Sequence, residues 1–193
     1  MCGRFAAPRN AEDILGELEL EWDEFTPEKE VFPTNQVLVG FSADGLAQAA
    51  EMTWGWQRNF SKRPLINVRG PEAWKKPTWS DAIQSRRCIV PASSFYEWDQ
   101  NQPKGKRDRY RIQMRHAQDF AMGGLYEVDE DSGEFFVSIL TTAPNKTMRA
   151  VHHRMPVIVE NSELSSWLTS QERDVVDRLM LPALDEDTTL IRD

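Results

Sequence analysis

The sequence predicts an α+β fold in which a curved, mainly antiparallel and barrel-like sheet is flanked by helices. Seven segments alternate or run apolar over the length of a strand, whereas only five carry a helical pattern. These helical segments do not alternate regularly with the strands, which disfavours a doubly wound parallel sheet. With 193 residues the chain has the length of one domain, so we expect a single domain over residues 1–193 that frays after residue 181.

The predicted elements begin with a short amphipathic helix. Asn10 is a favourable cap, Glu12 and Asp13 suit a first turn, and Ile14 and Leu15 lie on one face. The predicted strands cover residues 36–41, 47–56, 88–91, 109–114, 120–126, 135–141 and 156–159, and the predicted helices cover 10–20, 79–86, 145–150, 161–168 and 171–180. The polar stretches 58–64 and 99–108 are expected to be loops within the domain.

Composition excludes several classes of protein. No apolar stretch approaches the ~20 residues of a membrane-spanning helix, and the first residues lack the apolar core of a secretory signal. We therefore expect a cytoplasmic, nucleoid-associated protein with no membrane partner. The two cysteines, Cys2 and Cys88, are too few for a disulfide framework or a cysteine-rich zinc site. No metal and no cofactor are expected.

The net charge of -8 conceals a strong asymmetry along the chain. Residues 53–115 contain 14 basic and five acidic side chains, together with nine aromatic ones. Cations beside aromatic rings are typical of proteins that bind single-stranded nucleic acid. The alternative is a solvated basic face with the tryptophans in the core, and composition alone favours that alternative.

Cys2 gains a distinctive chemistry if Met1 is removed, because its α-amine then lies two carbons from its thiol. An α-amine has a reference pKa of ~7.7–8.0 against ~10.4 for lysine, so it is far more often neutral and nucleophilic at pH 7. With an aldehyde such an amine forms an imine, and the thiol can close onto the same carbon to give a thiazolidine. The alternative is that Cys2 is merely a small residue near the terminus.

Three short polar clusters offer partners for this chemistry. Asn67 and Arg69 form the first cluster, and Glu97 lies in an apolar run that would raise its pKa for proton transfer. His152 beside Arg154 pairs a proton carrier with a phosphate-binding cation. The alternatives are an outward-facing Glu97 on an alternating strand and a structural, hydrogen-bonded histidine.

Eight motifs occur in order along the chain and carry a resemblance to a known family. They are Met-Cys-Gly-Arg-Phe at 1–5, Phe-Pro-Thr-Asn-Gln-Val at 32–37, Trp-Gly-Trp at 54–56, Asn-Val-Arg at 67–69, Arg-Cys-Ile-Val-Pro-Ala at 87–92, Phe-Tyr-Glu-Trp at 95–98, Ile-Leu-Thr-Thr at 139–142 and His-His-Arg-Met-Pro at 152–156. This set resembles that of the SRAP family, the SOS-response-associated peptidases. The resemblance covers residues 1 to about 160 and implies an SRAP-like fold.

The resemblance implies a sensor and shield of abasic sites in single-stranded DNA. By similarity, Cys2 would form a thiazolidine crosslink with the ring-opened deoxyribose after autoproteolytic or aminopeptidase removal of Met1. Asn67 would position Cys2 and the sugar, Glu97 would shuttle protons, and His152 would assist opening of the sugar. An associated lyase activity would follow from β-elimination at the imine.

The resemblance also implies how DNA would be held. Arg4, Arg69 and Arg154 would contact phosphates, and Trp98 and Trp54 would offer stacking surfaces to bases. We expect a monomer whose partner is abasic single-stranded DNA.

The chain departs from the family pattern near these residues. Family members commonly read Asn-Ala-Arg-x-Glu, whereas here the glutamate, Glu72, comes one residue later. The family's Trp-Gly-Leu-Ile-Pro is replaced by Trp-Gly-Trp-Gln-Arg at 54–58. We assign Glu72 no role on this basis. Two other functions stay open: a thiol peptidase or amidohydrolase using Cys2 with His152 and Glu97, and a single-strand binder without chemistry.

Overall fold

A computed structural model of the protein describes residues 2–18 and 29–193. These residues contain thirteen strands and six α-helices. The strands are β1 Phe5–Ala6, β2 Glu30–Val31, β3 Gln36–Ala43, β4 Leu46–Trp54, β5 Asn67–Arg69, β6 Arg87–Ala92, β7 Ser94–Trp98, β8 Arg109–Met114, β9 Phe120–Val128, β10 Phe135–Thr142, β11 Met155–Pro156, β12 Ile158–Val159 and β13 Thr188–Arg192. The helices are α1 Glu12–Leu15, α2 Gly70–Ala73, α3 Ser80–Ser85, α4 Lys146–Arg149, α5 Leu164–Thr169 and α6 Arg173–Leu179.

The larger sheet closes on itself. Strands β3, β6, β9 and β10 pair in that order, and β4 pairs with both β3 and β10, so the pairings return to their starting point. All of these pairs are antiparallel except the one between β4 and β10. The short strand β5 joins the same sheet and runs parallel to β10, with Asn67 opposite Ile139. The α+β class with a mainly antiparallel, barrel-like sheet is confirmed.

A second sheet of five strands packs against the first in the order β13, β8, β7, β1, β2. Within it β1 lies between β7 and β2, with Phe5 opposite both Phe95 and Val31. Because β1 begins three residues after Cys2, this pairing fixes the amino-terminal end of the chain beside β7.

Two apolar cores follow from the alternation of side chains along the closed sheet. Val37, Val39 and Phe41 of β3 point into a core shared with the second sheet, whereas Leu38 points into a core shared with the helices. The helix-side core contains Trp167 of α5 together with residues of α1, α3 and α6. Polar residues that face the first core therefore lie between the two sheets.

A buried arginine fastens two helices to the barrel. Arg87 of β6 donates to the carbonyls of Ile83 and Gln84 at the end of α3, and to those of Trp167 and Ser170 at the end of α5. Its side chain is buried, and the carboxyl ends of helices carry partial negative charge that suits a cation. Backbone carbonyls thus solvate this guanidinium.

The structure departs from the sequence prediction at both ends of the chain. The predicted helix over 10–20 is the short helix α1 followed by a 3₁₀ turn over Gly16–Leu18, and its last two residues lie outside the described residues. The expected fraying after residue 181 is wrong for residues 188–192, because these form β13 along the whole of β8. Among the described residues, no helix has the length and apolar character needed to cross a membrane.

Candidate active site

Cys2 and Asn67 are joined directly although 65 residues separate them. Asn67 Nδ2 donates to the Cys2 carbonyl oxygen at 2.9 Å. Since alternate residues of a strand share a face, Asn67 and Arg69 of β5 point to the site while Val68 points into the helix-side core. The oxygen of the same side-chain amide, Asn67 Oδ1, is buried without a hydrogen-bond partner among the described residues.

Glu97 lies between the two sheets. It shares a face of β7 with Phe95, two residues before it, and that face is turned inward, so Glu97 is 4% exposed. Burial raises the pKa of its carboxyl, which favours the protonated form. The expectation of a carboxyl with a raised pKa agrees with this placement, and the outward-facing alternative does not.

His152 is placed by the end of α4, where its backbone N–H donates to the Met148 carbonyl at 2.8 Å. Its Nε2 lies 3.7 Å from Glu97 Oε2. Its Nδ1 lies 3.0 Å from the backbone N of Arg154 and 3.1 Å from the Arg154 carbonyl oxygen, so the ring nitrogen has a partner there in either tautomer. Burial lowers the pKa of His152 to about 4, so the imidazole is neutral at pH 7.

The Cys2 thiol is buried at the edge of the same cluster. The residue is 1% exposed, and its Sγ donates weakly to the Arg4 carbonyl at 3.9 Å. Burial raises the pKa of this thiol far above its usual value, and the negative charge of Glu97 raises it further. The structure therefore brings Cys2, Asn67, Glu97 and His152 together from four separate parts of the chain.

Two guanidinium groups lie beside this cluster. Arg154 Nη2 donates to the backbone oxygen of Thr141 and to its Oγ1. Arg69 is half-exposed and forms an ion pair with Glu72 at 3.2 Å. Burial lowers the pKa of Arg154, and the nearby charge of Arg69 lowers it further, so the two cations are neighbours. Such a pair suits a phosphate group.

Arg4 lies between two aromatic rings at the rim of the site. Its guanidinium carbon is 4.3 Å from the ring centroid of Phe32 and 5.3 Å from that of Trp98, and its Nη1 pairs with Glu30 at 3.4 Å. Trp98 is half-buried next to Glu97 on β7. This ring and the exposed Phe32 leave apolar surface next to the cluster.

The structure corrects the role expected for Trp54. Its side chain is completely buried, so it has no face on which a base could stack. The indole N–H donates to the Ile66 carbonyl at 3.0 Å, and the ring meets Phe5 edge-on at 5.0 Å. Trp54 therefore supports the backbone on either side of the hydrogen bond between Cys2 and Asn67.

Sequence reasoning missed two neighbours of the site. Phe32 and Glu30 both contact Arg4, but neither was predicted as a site residue. Glu30 comes from the acidic part of the chain, and Phe32 was noted only as the first residue of the motif at 32–37. The turn after Phe32 places Thr34 at a φ of 77°, a left-handed conformation that a β-branched residue rarely adopts. The motif at 32–37 therefore contains a strained turn that follows Phe32.

Metal-ligating side chains do not gather into a metal site among the described residues. Within residues 2–18 and 29–193, no three histidine, cysteine, aspartate or glutamate side chains are grouped so that they could hold a metal ion. A buried cysteine is thus bounded by an amide, a carboxyl and an imidazole, with cations at the rim.

Comparison with known proteins identifies the family. The model described as SOS response associated peptidase (SRAP) matches residues 1–192, and the chain belongs to this family. It is 32% identical to "Abasic site processing protein YoqW" of Bacillus subtilis over 90% of this chain and 83% of that protein. It is 30% identical to "Abasic site processing protein YoaM" of the same organism, over 94% of this chain and 86% of that protein.

Solved structures share the fold. A crystal structure of a protein from Bacteroides thetaiotaomicron superposes with a TM-score of 0.83 at 22% identity, over 99% of this chain and 91% of that one. At this identity the likeness concerns the fold alone.

Proposed function

We propose that this chain recognises abasic sites in single-stranded DNA and captures the ring-opened deoxyribose as a thiazolidine on Cys2, once Met1 has been removed. The observation that carries the proposal is the hydrogen bond of 2.9 Å from Asn67 to the Cys2 carbonyl. It holds the residue that would supply both amine and thiol beside Glu97 and His152. The names of the two Bacillus subtilis relatives support the choice of substrate.

Capture of the aldehyde by Cys2 releases one water. A separate hydrolysis, which consumes one water and releases methionine, comes before it. Hydrolysis of the bond between Met1 and Cys2 first frees the α-amine. The amine nitrogen then attacks the sugar aldehyde to give a carbinolamine, which loses water and becomes an imine. The Cys2 sulfur adds to the imine carbon, and the thiol proton ends on nitrogen, so the closed ring contains both heteroatoms of one residue.

Burial shifts the pKa values of Glu97 and His152 in the directions that these steps need. A carboxyl whose pKa is raised can donate a proton to the departing hydroxyl and then accept one from the thiol. The thiol needs such an acceptor because burial keeps it protonated. His152 remains neutral, and its Nε2, 3.7 Å from Glu97 Oε2, would serve as the contact to Glu97 or to a sugar hydroxyl.

The surroundings of the cluster fit a DNA strand. Asn67 Oδ1 is an acceptor without a partner among the described residues, so it can receive a hydrogen bond from the freed amine or the sugar. Arg69 and Arg154 would hold phosphates, and Arg4 with Trp98 would support the neighbouring nucleotide. An imine at the sugar would also permit strand cleavage by β-elimination as a secondary, lyase activity.

A thiol peptidase that acts on other proteins is the second candidate, and two observations disfavour it. A cysteine peptidase lowers the pKa of its thiol beside an imidazolium, whereas burial raises the pKa of Cys2. The Nε2 atom of His152 lies 3.7 Å from Glu97 Oε2. The pKa of the His152 imidazole is about 4, so this ring is not an imidazolium at pH 7. We therefore confine the peptidase chemistry to removal of Met1.

Incubation of the processed protein with an abasic oligonucleotide tests the proposal. We expect one adduct per chain that survives denaturing electrophoresis, with an intact mass equal to protein plus oligonucleotide minus one water. An oligonucleotide reduced with borohydride has no aldehyde and should give no adduct. An adduct with the reduced oligonucleotide, or none with the unreduced one, would exclude thiazolidine capture.

A further inference from the structure

The exposed cations of this protein differ in whether a carboxylate lies close enough to form an ion pair. At the end of the sheets remote from Cys2, Arg115 pairs with Asp187 at 2.8 Å and Arg178 with Glu163 at 2.9 Å. Another group of exposed cations has no carboxylate within ion-pair distance among the described residues. It comprises Lys104, Lys106 and Arg107 of the loop between β7 and β8, and Arg149 of α4, and we call it the loop–helix surface.

The acidic residues of this loop are occupied elsewhere. Asp99 Oδ1 accepts from the backbone and the side chain of Asn101, and Asp108 pairs with Arg192 at 2.7 Å. Asp108 also accepts from Gln102 Nε2 at 2.7 Å. The carboxylates therefore shape the loop, and they leave its lysines and Arg107 uncompensated in a protein with a net charge of -8.

The loop is tied to the end of α4. Gln100 N–H donates to the Val151 carbonyl, and Asn101 Nδ2 donates to the Ala150 carbonyl, both at 2.9 Å. These bonds bring Arg149 next to the loop. Since both bonds involve the segment that leads into His152, the loop–helix surface has a fixed position relative to the site.

The surface reaches the candidate site through His153. Its Nδ1 lies 2.6 Å from Gln100 Oε1, and its ring stacks on that of His152 with centroids 4.5 Å apart. Arg107 is near enough for its charge to contribute to the lowered pKa of His152, although burial contributes most. Arg154 contacts His152 at another atom, since its backbone N lies 3.0 Å from His152 Nδ1, and Arg69 is a neighbour of Arg154.

From this arrangement we infer that the loop–helix surface binds the phosphodiester backbone of the captured strand on one side of the abasic site, beyond the phosphates held by Arg69 and Arg154. The inference rests on the proposed function. Exposed, unpaired cations beside the candidate site suit binding along the backbone of a DNA strand. Contacts to phosphates need positive charge and do not depend on the base sequence.

The experiment combines strand length with charge removal. Retention by the processed protein is measured with oligonucleotides that carry a tetrahydrofuran abasic analogue, which cannot react, and that have a long flank on both sides or a short one on either side. For the wild type we expect shortening one particular flank to weaken binding about tenfold. The variant K104Q/K106Q/R107Q should lose that dependence on flank length, and its salt slope should fall by about 2.

The matched control removes the same charge from a groove that is lined by Arg9, Arg115 and Arg178. The variant R9Q/R115Q/R178Q should keep the dependence on flank length shown by the wild type. If K104Q/K106Q/R107Q also kept it, or if neither flank mattered to the wild type, the loop–helix surface would not be a DNA track. Adduct formation by the wild type on a short reactive abasic oligonucleotide tests the proposed function separately, since it does not need the flank.

Discussion

The two cysteines of this protein have the same burial and the same direction of pKa shift, yet their surroundings differ. Cys88 lies in the middle of β6, paired across to Phe41 and Gly124, and its carbonyl accepts from Trp167. Burial alone raises the pKa of its thiol. Cys2 belongs to the same apolar core but also touches the amide, carboxyl and imidazole cluster. Burial and the direction of the pKa shift therefore do not distinguish the two cysteines, whereas the polar neighbours of Cys2 do.

Exchange of each cysteine for alanine should separate the two regions most strongly. Cys2→Ala removes the thiol that closes the ring, so we expect no adduct that survives denaturing electrophoresis. Cys88→Ala should still form the adduct while losing about 1 kcal/mol of unfolding free energy, because it leaves a small cavity. Denaturing gels measure adduct formation, and urea titrations measure the free energy of unfolding. A stable adduct with Cys2→Ala would contradict the assignment of the thiol.

Glu97→Gln probes the polar side of the comparison. The amide cannot exchange protons, so we expect adduct formation to slow by about 10²-fold to 10⁴-fold. Loss of the negative charge should also lower the pKa of the Cys2 thiol toward its usual value. Single-turnover rates across pH measure both effects, and Gln100→Glu is the control for a carboxyl placed outside the cluster. A wild-type rate for Glu97→Gln would remove the proton-shuttle role.

His152 links the cluster to stability against acid. Its pKa is about 4 in the folded chain and ~6.5 in the unfolded one, so the unfolded state binds more protons between these values. The stability that the neutral imidazole confers is thus present above about pH 6.5 and lost as the pH falls toward 4, by about 3 kcal/mol.

The raised pKa of Glu97 acts in the opposite sense, since its contribution is lost as the pH rises. Urea titrations of the wild type and His152→Gln at several pH values isolate the histidine contribution. The difference in unfolding free energy between them should change by about 3 kcal/mol between pH 7 and pH 4. A constant difference would show that the imidazole is not held neutral.

Trp54→Phe should give the smallest effect. It removes the hydrogen bond to the Ile66 carbonyl, so we expect a loss of about 1 kcal/mol and a rate of adduct formation lowered a few-fold. Trp56→Phe is the matched control, because Trp56 stacks on Trp79 in the helix-side core. It should destabilise the protein without slowing the adduct. Equal rates for the two variants would deny Trp54 a positioning role.

Much of the barrel could be predicted from apolar patterning. The prediction for 109–114 coincides with β8, and those for 36–41 and 120–126 fall inside β3 and β9. The strands that carry the site were missed, namely β5 with Asn67 and β7 with Glu97. Polar residues interrupt the apolar alternation at these positions, and their pairing partners lie far away in the chain.

The site residues and the apolar surroundings of Glu97 were predicted through chemistry and resemblance, but the burial of Glu97 between two sheets was not. Glu97 on β7 is buried only because Phe95 turns that face inward, which depends on the pairing of β7 with β1. The basic, aromatic-rich segment misled in part, because tryptophan is common both in cores and at nucleic-acid surfaces. Trp54 is a core residue, whereas Trp98 stays partly accessible.

The contact of Arg87 with four carbonyls has a practical consequence for handling the protein. Concentrated salt screens exposed charges, so an elution step should strip noncovalently bound polyanions from Arg69 and from the loop–helix surface. The guanidinium of Arg87 is buried among helix ends, where dissolved ions do not reach it. Purification at high ionic strength should therefore yield chains that are free of carried-over nucleic acid and keep α3 and α5 in place.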